Sequence, residues 1–587
     1  MKPKNSVIVL AAINAKYIHS NLAIHSLAAS AGEYRENVMP VEFTINMTKD
    51  QILEGIYQLK PDVLCFSCYI WNISFVENVA REFAKLCPKV PVWVGGPEVS
   101  YEVETFLVRH PYVTGTMIGE GEDTFRELCR YYCEGGILED IRGIAYRKEN
   151  GEICFTAPRE VTDLSSIPFC YEKMENYANR IIYYESSRGC PFSCSYCLSS
   201  IDKKLRFRKL DLVKQELLFF LEQKVPQIKF VDRTFNCNHE HCMAIWNFVK
   251  ENDNGITNFH FEISADLLKE DEMELLCSMR TGLVQLEIGV QTTNPNTIEE
   301  IHRRMSLDKV KENVARIRAV GNINQHLDLI AGLPFEDYQS FRRSFDEIYV
   351  LGVQQLQLGF LKVLKGSYMY EHAREYDILY HDEPPYEVLS TKWLSYDEII
   401  RIKLAEEQLE VYYNSGQYEV TMRVLASVLT GYFDFFTALG EYYDRMGYRS
   451  MSHSRLRRCE ILLEFLHTEA FQELKKREYL DKEEIGKDTF PELVQESLIF
   501  DLYARENCKT RPSWAPDMKD FRDKTHQFCT KGKLSHIEPF HYHFPRKTEP
   551  FIQKAPIRQS EIVWVYFDYE KGEISEISPC NNSVGRV

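Results

Sequence analysis

The 587-residue sequence contains no apolar run long enough to suggest a membrane span. A spanning helix needs about 18 consecutive apolar residues. Here hydrophobic residues, 44% of the chain, are interspersed with 27% charged residues. The apolar stretch at 7–13 (VIVLAAI) runs directly into Asn14 and Lys16 without a small-residue cleavage pattern. It therefore predicts a buried first strand rather than an export signal, and we expect a cytoplasmic chain of three or four globular domains.

The sequence also lacks an excess of positive charge. It has 70 Lys and Arg residues against 87 Asp and Glu residues, which gives a net charge of −17. Proteins that bind phosphate backbones or anionic membranes broadly carry a surplus of Lys and Arg. We therefore do not expect nucleic acid as a partner, although a local basic patch is compatible with this composition.

The cysteines lack the pattern of a disulfide framework. Seventeen of them are scattered through a long chain rather than spaced evenly in a short one. Disulfide-rich frameworks are typical of small secreted domains. We expect most of these cysteines to be reduced and buried.

Three cysteines stand close together in one short loop. In SSRGCPFSCSYCLSS (186–200), Cys190, Cys194 and Cys197 are separated by three and then two residues. Structural zinc takes four protein ligands, and catalytic zinc takes three that commonly include His. Three thiolates in a short loop fit an iron–sulfur cube better, because one iron then stays free to bind a small molecule. The triplet therefore predicts a cluster site.

Short β-rich runs alternate with helix-length segments at the start of the chain. This alternation predicts an α/β fold with a Rossmann-like, doubly wound N-terminal domain, in which ligands bind at the carboxyl ends of the strands. The predicted strands are 6–13, 61–68, 91–95 and 112–118. A hairpin-like linker with Asn150-Gly151 as its turn follows.

A second alternation predicts a partial (β/α)6 TIM-type barrel, whose site lies at the carboxyl ends of its strands. The predicted strands are 182–187, 228–232, 259–264, 283–291, 325–331 and 356–363. From about 393 the pattern becomes mainly helical, with a β-containing tail. We place the domains at 1–140, 141–180 (linker and hairpin), 181–375 and 376–587.

The segment CPFSCSYC resembles the CxxxCxxC signature of the radical S-adenosylmethionine (SAM) enzymes, and six βα units are the core of that family. The resemblance implies a [4Fe–4S] cluster whose fourth iron binds SAM and whose electron cleaves SAM to a 5′-deoxyadenosyl radical. It also implies an electron donor such as flavodoxin or ferredoxin. The SAM contacts that it implies at strand ends are Asp232, Arg233, Thr234, Glu287, Gln291, Ile330 and Gly332.

The N-terminal domain, with VWVGGPEVS and MIGEGEDTFREL, is similar to the cobalamin-binding domain of cobalamin-dependent radical SAM enzymes. The subgroup that it resembles has a C-terminal domain of unknown function. The DxHxxG motif is absent, and His19 and His25 have different neighbours, so we expect cobalamin without a histidine on cobalt. The implied cobalamin contacts are Ser67, Tyr69, Trp71, Gly95, Gly96, Pro97, Gly119, Glu120 and Gly121.

Two further groups of histidines suggest metal sites at first inspection. CNHEHC (237–242) contains Cys237, His239, His241 and Cys242, but adjacent positions at the start of a helix point in different directions. His541 and His543 alternate in the tail as they would on one face of a strand. In both groups we predict packed or solvated side chains rather than metal ligands.

The resemblance implies a methyltransferase that acts on an unactivated carbon, with hydrogen taken by the adenosyl radical and the methyl group supplied by methylcobalamin. The sequence identifies neither the substrate nor the catalytic residues. Three alternatives stay open: a radical cyclase or rearrangement enzyme, a methylthiotransferase for RNA or protein, and a non-enzymatic cobalamin sensor. Cys65, Cys68 and Cys87 do not match the N-terminal ligand pattern of methylthiotransferases, and the intact cysteine triplet disfavours a sensor. Methyl transfer requires the carboxyl ends of the N-terminal sheet to face the Cys190 loop.

Overall fold

The computed structural model describes residues 6–478, 490–508, 510–521, 534–545, 549–552, 554–577 and 584–586. The chain divides into two compact units. The first comprises Met1–Glu287, Glu299–Met305 and Phe360–Thr391, and the second comprises Ile288–Ile298, Ser306–Gly359 and Lys392–Val587. Among the described residues, no helix is both long and apolar enough to cross a membrane.

The first unit begins with a seven-stranded sheet of order β2-β1-β3-β4-β5-β6-β7. Its strands are β1 (Ile8–Asn14), β2 (Val38–Thr44), β3 (Val63–Ser67), β4 (Val92–Gly95), β5 (Gly115–Met117), β6 (Ile144–Arg147) and β7 (Ile153–Phe155). Its helices are α1 (Leu22–Ser30), α2 (Lys49–Gln58), α3 (Ile73–Leu86), α4 (Val103–Arg109) and α5 (Glu122–Glu134). The first five strands are parallel, which confirms the predicted doubly wound arrangement.

The core of this sheet explains why β1 could be predicted from its sequence. All seven of its residues are buried, and successive side chains enter two different hydrophobic clusters: Val9 lies in one, and Ile8 and Leu10 lie in the other. A parallel strand covered on both faces needs such a continuous apolar run. The sequence therefore specifies a central strand here.

Two features of the sheet differ from expectation. We did not predict β2, because Pro40 and Glu42 interrupt its apolar pattern. Pro40 is tolerated because β2 lies at the edge of the sheet, where one side of the strand needs no ladder hydrogen bonds. The predicted hairpin forms as β6 and β7, but it pairs with β5 and so extends the sheet by two antiparallel strands.

The barrel strands all form close to their predicted positions. They are β8 (Ile182–Tyr184), β11 (Gln227–Phe230), β12 (Asn258–Ile263), β13 (Val284–Gln291), β14 (Asn324–Ala331) and β15 (Gln355–Phe360), and two short strands, β9 (Ser187–Arg188) and β10 (Arg206–Phe207), flank the cysteine loop. The helices are α6 (Leu210–Glu222), α7 (His239–Glu251), α8 (Glu270–Cys277), α9 (Pro295–Glu300), α10 (Leu307–Val320) and α11 (Tyr338–Tyr349). The boundary between the units falls within β13, after Glu287. In the first unit the order is β8, β11, β12 and the start of β13, and in the second unit it is the end of β13, β14 and β15.

The free edge of β8 is covered within the first unit. The backbone N–H of Ile181, just before β8, donates to the Ile18 carbonyl at 2.7 Å, and His19 forms a parallel bridge with Ile181. The Ser20 hydroxyl donates to the Ile181 carbonyl at 2.8 Å. The loop after β1 thus lies along the first barrel strand and satisfies its exposed edge.

The remaining elements are mainly helical and end in a small sheet. In the first unit they are α12 (Tyr368–His372), β16 (Leu379–Tyr380) and β17 (Val388–Ser390). In the second unit the helices are α13 (Tyr396–Leu409), α14 (Glu419–Val428), α15 (Tyr432–Arg445), α16 (Arg455–Leu466), α17 (Glu469–Glu478) and α18 (Phe490–Tyr503). An antiparallel sheet follows, with β18 (Ser535–Phe540), β19 (Val563–Asp568), β20 (Glu573–Ile577) and β21 (Val584–Arg586). The predicted helical region with a β-containing tail is confirmed.

Candidate functional site

The cysteine triplet lies on a tight loop between β9 and β10 in the first unit. The Cys190 backbone N–H donates to the Asp202 carbonyl at 3.1 Å, which closes the loop at its base. Gly189 has a φ of +94°, and a Cβ at this position would lie 2.7 Å from the Lys204 carbonyl oxygen. Only glycine fits this position, which explains the Gly-Cys-Pro start of the loop.

The three thiols fit the demands of a cluster. All three are free; Cys190 and Cys194 are buried and Cys197 is half-buried. Burial raises the pKa of the Cys190 thiol, and Cys197 and Cys194 raise it further. Mutually repelling thiolates need a cation, and metal ligation requires their deprotonation.

Asp232, expected to contact SAM, accepts three hydrogen bonds from protein groups. Its carboxylate accepts hydrogen bonds from the Ser186 N–H (2.9 Å), the Ser186 hydroxyl (2.6 Å) and the Ser187 hydroxyl (2.6 Å). Burial raises its pKa to about 6. Asp232 thus fastens the strand that leads into the cysteine loop, and its contact with SAM stays a prediction. The Thr234 hydroxyl lies 3.9 Å from Cys190 Sγ, and Arg233 is exposed.

Glu287 belongs to an ion-paired group between neighbouring barrel strands. Its carboxylate lies 2.9 Å from Lys229 Nζ and 3.0 Å from His260 Nε2. Burial opposes ionisation, but the His260 hydrogen bond and the Lys229 charge lower the pKa of Glu287 to about 2. Lys229 also lies 3.9 Å from Glu262, so Glu287 is one of two carboxylates around one ammonium group.

The other predicted SAM contacts lie in the second unit. Gln291 ends β13 with a φ of +74°, and its buried Oε1 has no hydrogen-bond partner among the described residues. A strained backbone and an unpaired amide oxygen are features of a ligand contact. Ile330 is half-buried on β14, and Gly332, just after this strand, has a φ of +91°. Contact of these residues with SAM stays a prediction.

The predicted cobalamin contacts lie at the carboxyl ends of β3, β4 and β5 in the first unit. The Ser67 hydroxyl is buried and has no hydrogen-bond partner among the described residues, which fits a ligand amide. At Gly119, with a φ of +78°, an added Cβ would meet nothing within 4 Å. An orphaned hydroxyl and an open glycine at one sheet edge fit the predicted corrin site.

At the other three glycines of this sheet edge, an added Cβ would contact neighbouring protein atoms. Gly96 has a φ of +119°, and a Cβ there would lie 2.4 Å from the Cys68 carbonyl oxygen. A Cβ at Gly95 would lie 3.3 Å from Met117, and one at Gly121 would lie 3.0 Å from Leu27. Tight packing alone therefore accounts for Gly96.

The SCYIWN segment presents a flat aromatic surface. The rings of Tyr69 and Trp71 stack with centroids 4.4 Å apart and planes 5° apart. Trp71 is 43% exposed, and its Nε1–H donates to the Ile13 carbonyl at 3.2 Å. Pro97, at the start of a short 3-10 turn, is also exposed. These groups are accessible to a ligand, and their contact with cobalamin stays a prediction.

The GEGED loop (119–123) contacts both ends of the cysteine loop. Glu120 lies 2.6 Å from Arg206, just after the loop, and 3.6 Å from Arg188, just before it. Arg188 also lies 2.7 Å from Glu122 and 2.8 Å from Glu185. The GEGED loop thus contacts the segments on both sides of the Cys190 loop, through ion pairs that we did not predict. The expected placement of GGPE and SCYIWN across from the Cys190 loop stays a prediction. Glu120, expected to bind cobalamin, is held by two arginines.

The four histidines singled out in the first part of the chain lie within hydrogen-bond or ion-pair distance of protein groups. His25 lies 2.5 Å from Glu42, and His19 Nδ1 lies 2.7 Å from the Tyr183 hydroxyl. In CNHEHC, His239 faces Asp271 and Glu272 at 3.0 Å each. His241 lies 3.0 Å from the Ser186 hydroxyl, and burial lowers the pKa of its imidazole to about 4. Cys242 Sγ also donates to Glu272 Oε1, which His239 contacts, at 3.0 Å. These side chains are packed against protein groups, and the absence of a metal from this segment stays a prediction.

The tail histidines follow β18 rather than lie on it. His541 Nδ1 lies 2.6 Å from Glu496, and His543 Nδ1 lies 3.1 Å from Glu576. Glu492, Glu496 and His541 place potential ligand atoms within 4.8 Å of one another. Arg558 already binds both oxygens of Glu492, at 3.1 and 3.2 Å. These three side chains are thus engaged in hydrogen bonds, and the absence of a metal from this cluster stays a prediction.

Comparison with known families assigns three parts of the chain. A B12 binding domain matches residues 8–129, the Radical SAM superfamily matches 184–348, and a protein family of unknown function (DUF4080) matches 374–563. The chain therefore carries a B12-binding domain, a radical SAM domain and a C-terminal domain of unknown function. The cofactors of these domains are a [4Fe–4S] cluster, SAM and cobalamin, as predicted.

Two curated relatives match about half of this chain. The chain is 26% identical over 321 residues to the cobalamin-dependent radical SAM methyltransferase TokK of Streptomyces tokunonensis, covering 51% of this chain and 46% of TokK. It is 28% identical over 346 residues to 2-(S-pantetheinyl)-carbapenam-3-carboxylate methyltransferase of Streptantibioticus cattleyicolor, covering 51% and 47%. The chain thus spans about half the length of these relatives. The cobalamin-dependent SAM radical enzyme OxsB with bound aqua-cobalamin has a similar fold, with a TM-score of 0.53 and 15% identity over 88% of this chain and 82% of OxsB.

Proposed function

We propose that this protein is a cobalamin-dependent radical SAM methyltransferase that acts on an unactivated carbon. The observation that carries the proposal is the set of ion pairs that joins the GEGED loop to Arg188 and Arg206, on both sides of the cysteine loop. Because the loop belongs to the B12-binding domain, the binding edges for the two cofactors adjoin. Methyl transfer needs this proximity.

The described residues divide into those that hold a cofactor and those that hold the site together. Cys190, Cys194 and Cys197 bind the cluster, while Ser67 and the open space at Gly119 receive the corrin. When bound, cobalamin supplies a methyl group and the cluster supplies the electron that cleaves SAM. Asp232 fixes the strand before the cysteine loop through three hydrogen bonds to Ser186 and Ser187.

The proposal includes a small one-electron donor, such as flavodoxin or ferredoxin, and a cytoplasmic location. The proposed domain boundaries are 1–140, 141–180, 181–375 and 376–587.

The proposal is tested first by cofactor content. After anaerobic reconstitution, the wild-type protein should hold about four irons per chain and show the charge-transfer absorption of a cluster. C190A, C194A and C197A should each lose both. Cys237 provides the control. It is a half-buried cysteine whose thiol pKa is raised by burial and by the nearby Cys190. C237A should keep its iron, and a triplet variant with full iron content would contradict the assignment.

A further inference from the structure

Arg303 contacts the cysteine loop from outside every motif that pointed to the site. It follows α9 in the sequence HRRM, in the first unit. Its Nη1 lies 3.7 Å from Cys194 Sγ and 3.4 Å from the Tyr196 hydroxyl. The first distance allows an N–H to donate to sulfur, so one cluster ligand has a cationic donor beside it.

Backbone hydrogen bonds fix this contact. The Ser195 N–H, next to Cys194, donates to the Ile301 carbonyl at 2.9 Å. The Ser195 carbonyl in turn accepts a hydrogen bond from the Met369 N–H at 2.9 Å. The short segment that carries Arg303 is therefore registered against the cysteine loop by its main chain. The backbone of this segment therefore places Arg303 beside the cysteine loop.

The charge of Arg303 is permanent and partly shielded from water. A guanidinium stays protonated in proteins. Its Nε atom is buried, and the neighbouring Tyr196 and Cys194 belong to the loop itself. In such surroundings a charge acts more strongly on its neighbours than it does in water.

We propose that Arg303 is a positioning residue that raises the reduction potential of the cluster held by Cys190, Cys194 and Cys197. This rests on the proposed function, which places a cluster there. Reduction adds one negative charge to the cluster, and both an N–H donor at a ligand sulfur and a nearby cation stabilise the more negative state. The effect makes the cluster easier for the electron donor to reduce.

The test is a potentiometric titration of the reconstituted holoprotein, followed by the electron paramagnetic resonance signal of the reduced cluster. R303M removes charge and donor while keeping an apolar stem. Its midpoint should become more negative by about 59 mV, so that the ratio of reduced to oxidised cluster at a set potential falls about tenfold. R303K keeps the charge and should shift less. Arg304, the exposed next residue, supplies the control, and R304M should titrate like wild type.

The outcomes separate this role from a structural one. R303M with full iron content and a wild-type midpoint would overturn the proposal. If R303M does not retain iron, R303K and R303Q are compared, and equal midpoints in both would also overturn it, because only one of them carries the charge. A wild-type protein that binds no iron would overturn the proposed function at the first step, before any potential is measured.

Discussion

Replacing Arg188 with Met should loosen the cysteine loop. Arg188 is the only described cation within ion-pair distance of both Glu122, at 2.7 Å, and Glu185, at 2.8 Å. Its side chain is 21% exposed and that of Glu122 is 9% exposed. Met keeps the apolar stem but leaves the buried Glu122 and the half-buried Glu185 without their shared partner.

The magnitude follows from this partial burial. An exposed ion pair contributes about 1 kcal/mol or less, and removing one partner of a buried pair costs about 3–5 kcal/mol. A value of about 3 kcal/mol is expected here, because three carboxylates share one guanidinium. That cost corresponds to a roughly 100-fold larger open fraction of the loop.

Hydrogen–deuterium exchange measured by mass spectrometry under anaerobic conditions gives the assay. Amides in the loop, including the Cys190 N–H that bonds Asp202 at 3.1 Å, should exchange about 100-fold faster in R188M. R81M removes an exposed ion pair with Glu82 in the same unit and should leave the loop unchanged. Equal protection of the loop in R188M and wild type would refute the claim that the GEGED loop holds it.

Three further predictions concern individual residues. Ser67→Ala should weaken cobalamin binding about tenfold in an absorbance titration, because it removes one hydrogen bond of about 1.4 kcal/mol. The stability of the cobalamin-free protein should not change, and unchanged affinity for cobalamin would contradict the assignment. Gly96→Ala should lower the thermal stability even without cobalamin, because its Cβ would lie 2.4 Å from the Cys68 carbonyl oxygen, and a wild-type melting temperature would show that the loop can relax. Asp501 accepts two hydrogen bonds from Thr421, and burial raises its pKa from 3.8 to about 7, so its stabilising contribution is full below pH 3.8 and is lost as the pH rises through about 7. Between these limits wild type should lose up to about 4 kcal/mol of unfolding free energy relative to D501N, and a pH-independent difference in denaturant titrations would contradict this.

Elements with a strong local pattern were predictable from the sequence. β1 is a continuous apolar run because both of its faces are covered, and β13 alternates buried and half-buried residues along its length. The cysteine spacing and the Gly189 turn are also local features. β2 was missed since its edge position, which makes Pro40 acceptable, is a property of the assembled sheet.

The contacts that organise the site depend on tertiary structure. Glu120 and Arg206 are 86 residues apart in sequence, and Arg303 and Cys194 are 109 residues apart. No local pattern distinguishes such charges from solvated ones. Asp232 shows the same limit in another form: its position beside the site was predicted, but its three protein donors were not.

The measurement that tests the central claim most directly is product analysis of anaerobic turnover. The reconstituted protein, loaded with cobalamin, is incubated with SAM and a one-electron reductant, and products are quantified by mass spectrometry. A methyltransferase of this class consumes one SAM as methyl donor and another as radical source, so S-adenosylhomocysteine and 5′-deoxyadenosine should both accumulate, and C194A should form no 5′-deoxyadenosine. Formation of 5′-deoxyadenosine without S-adenosylhomocysteine would contradict methyl transfer and favour a cyclase or rearrangement.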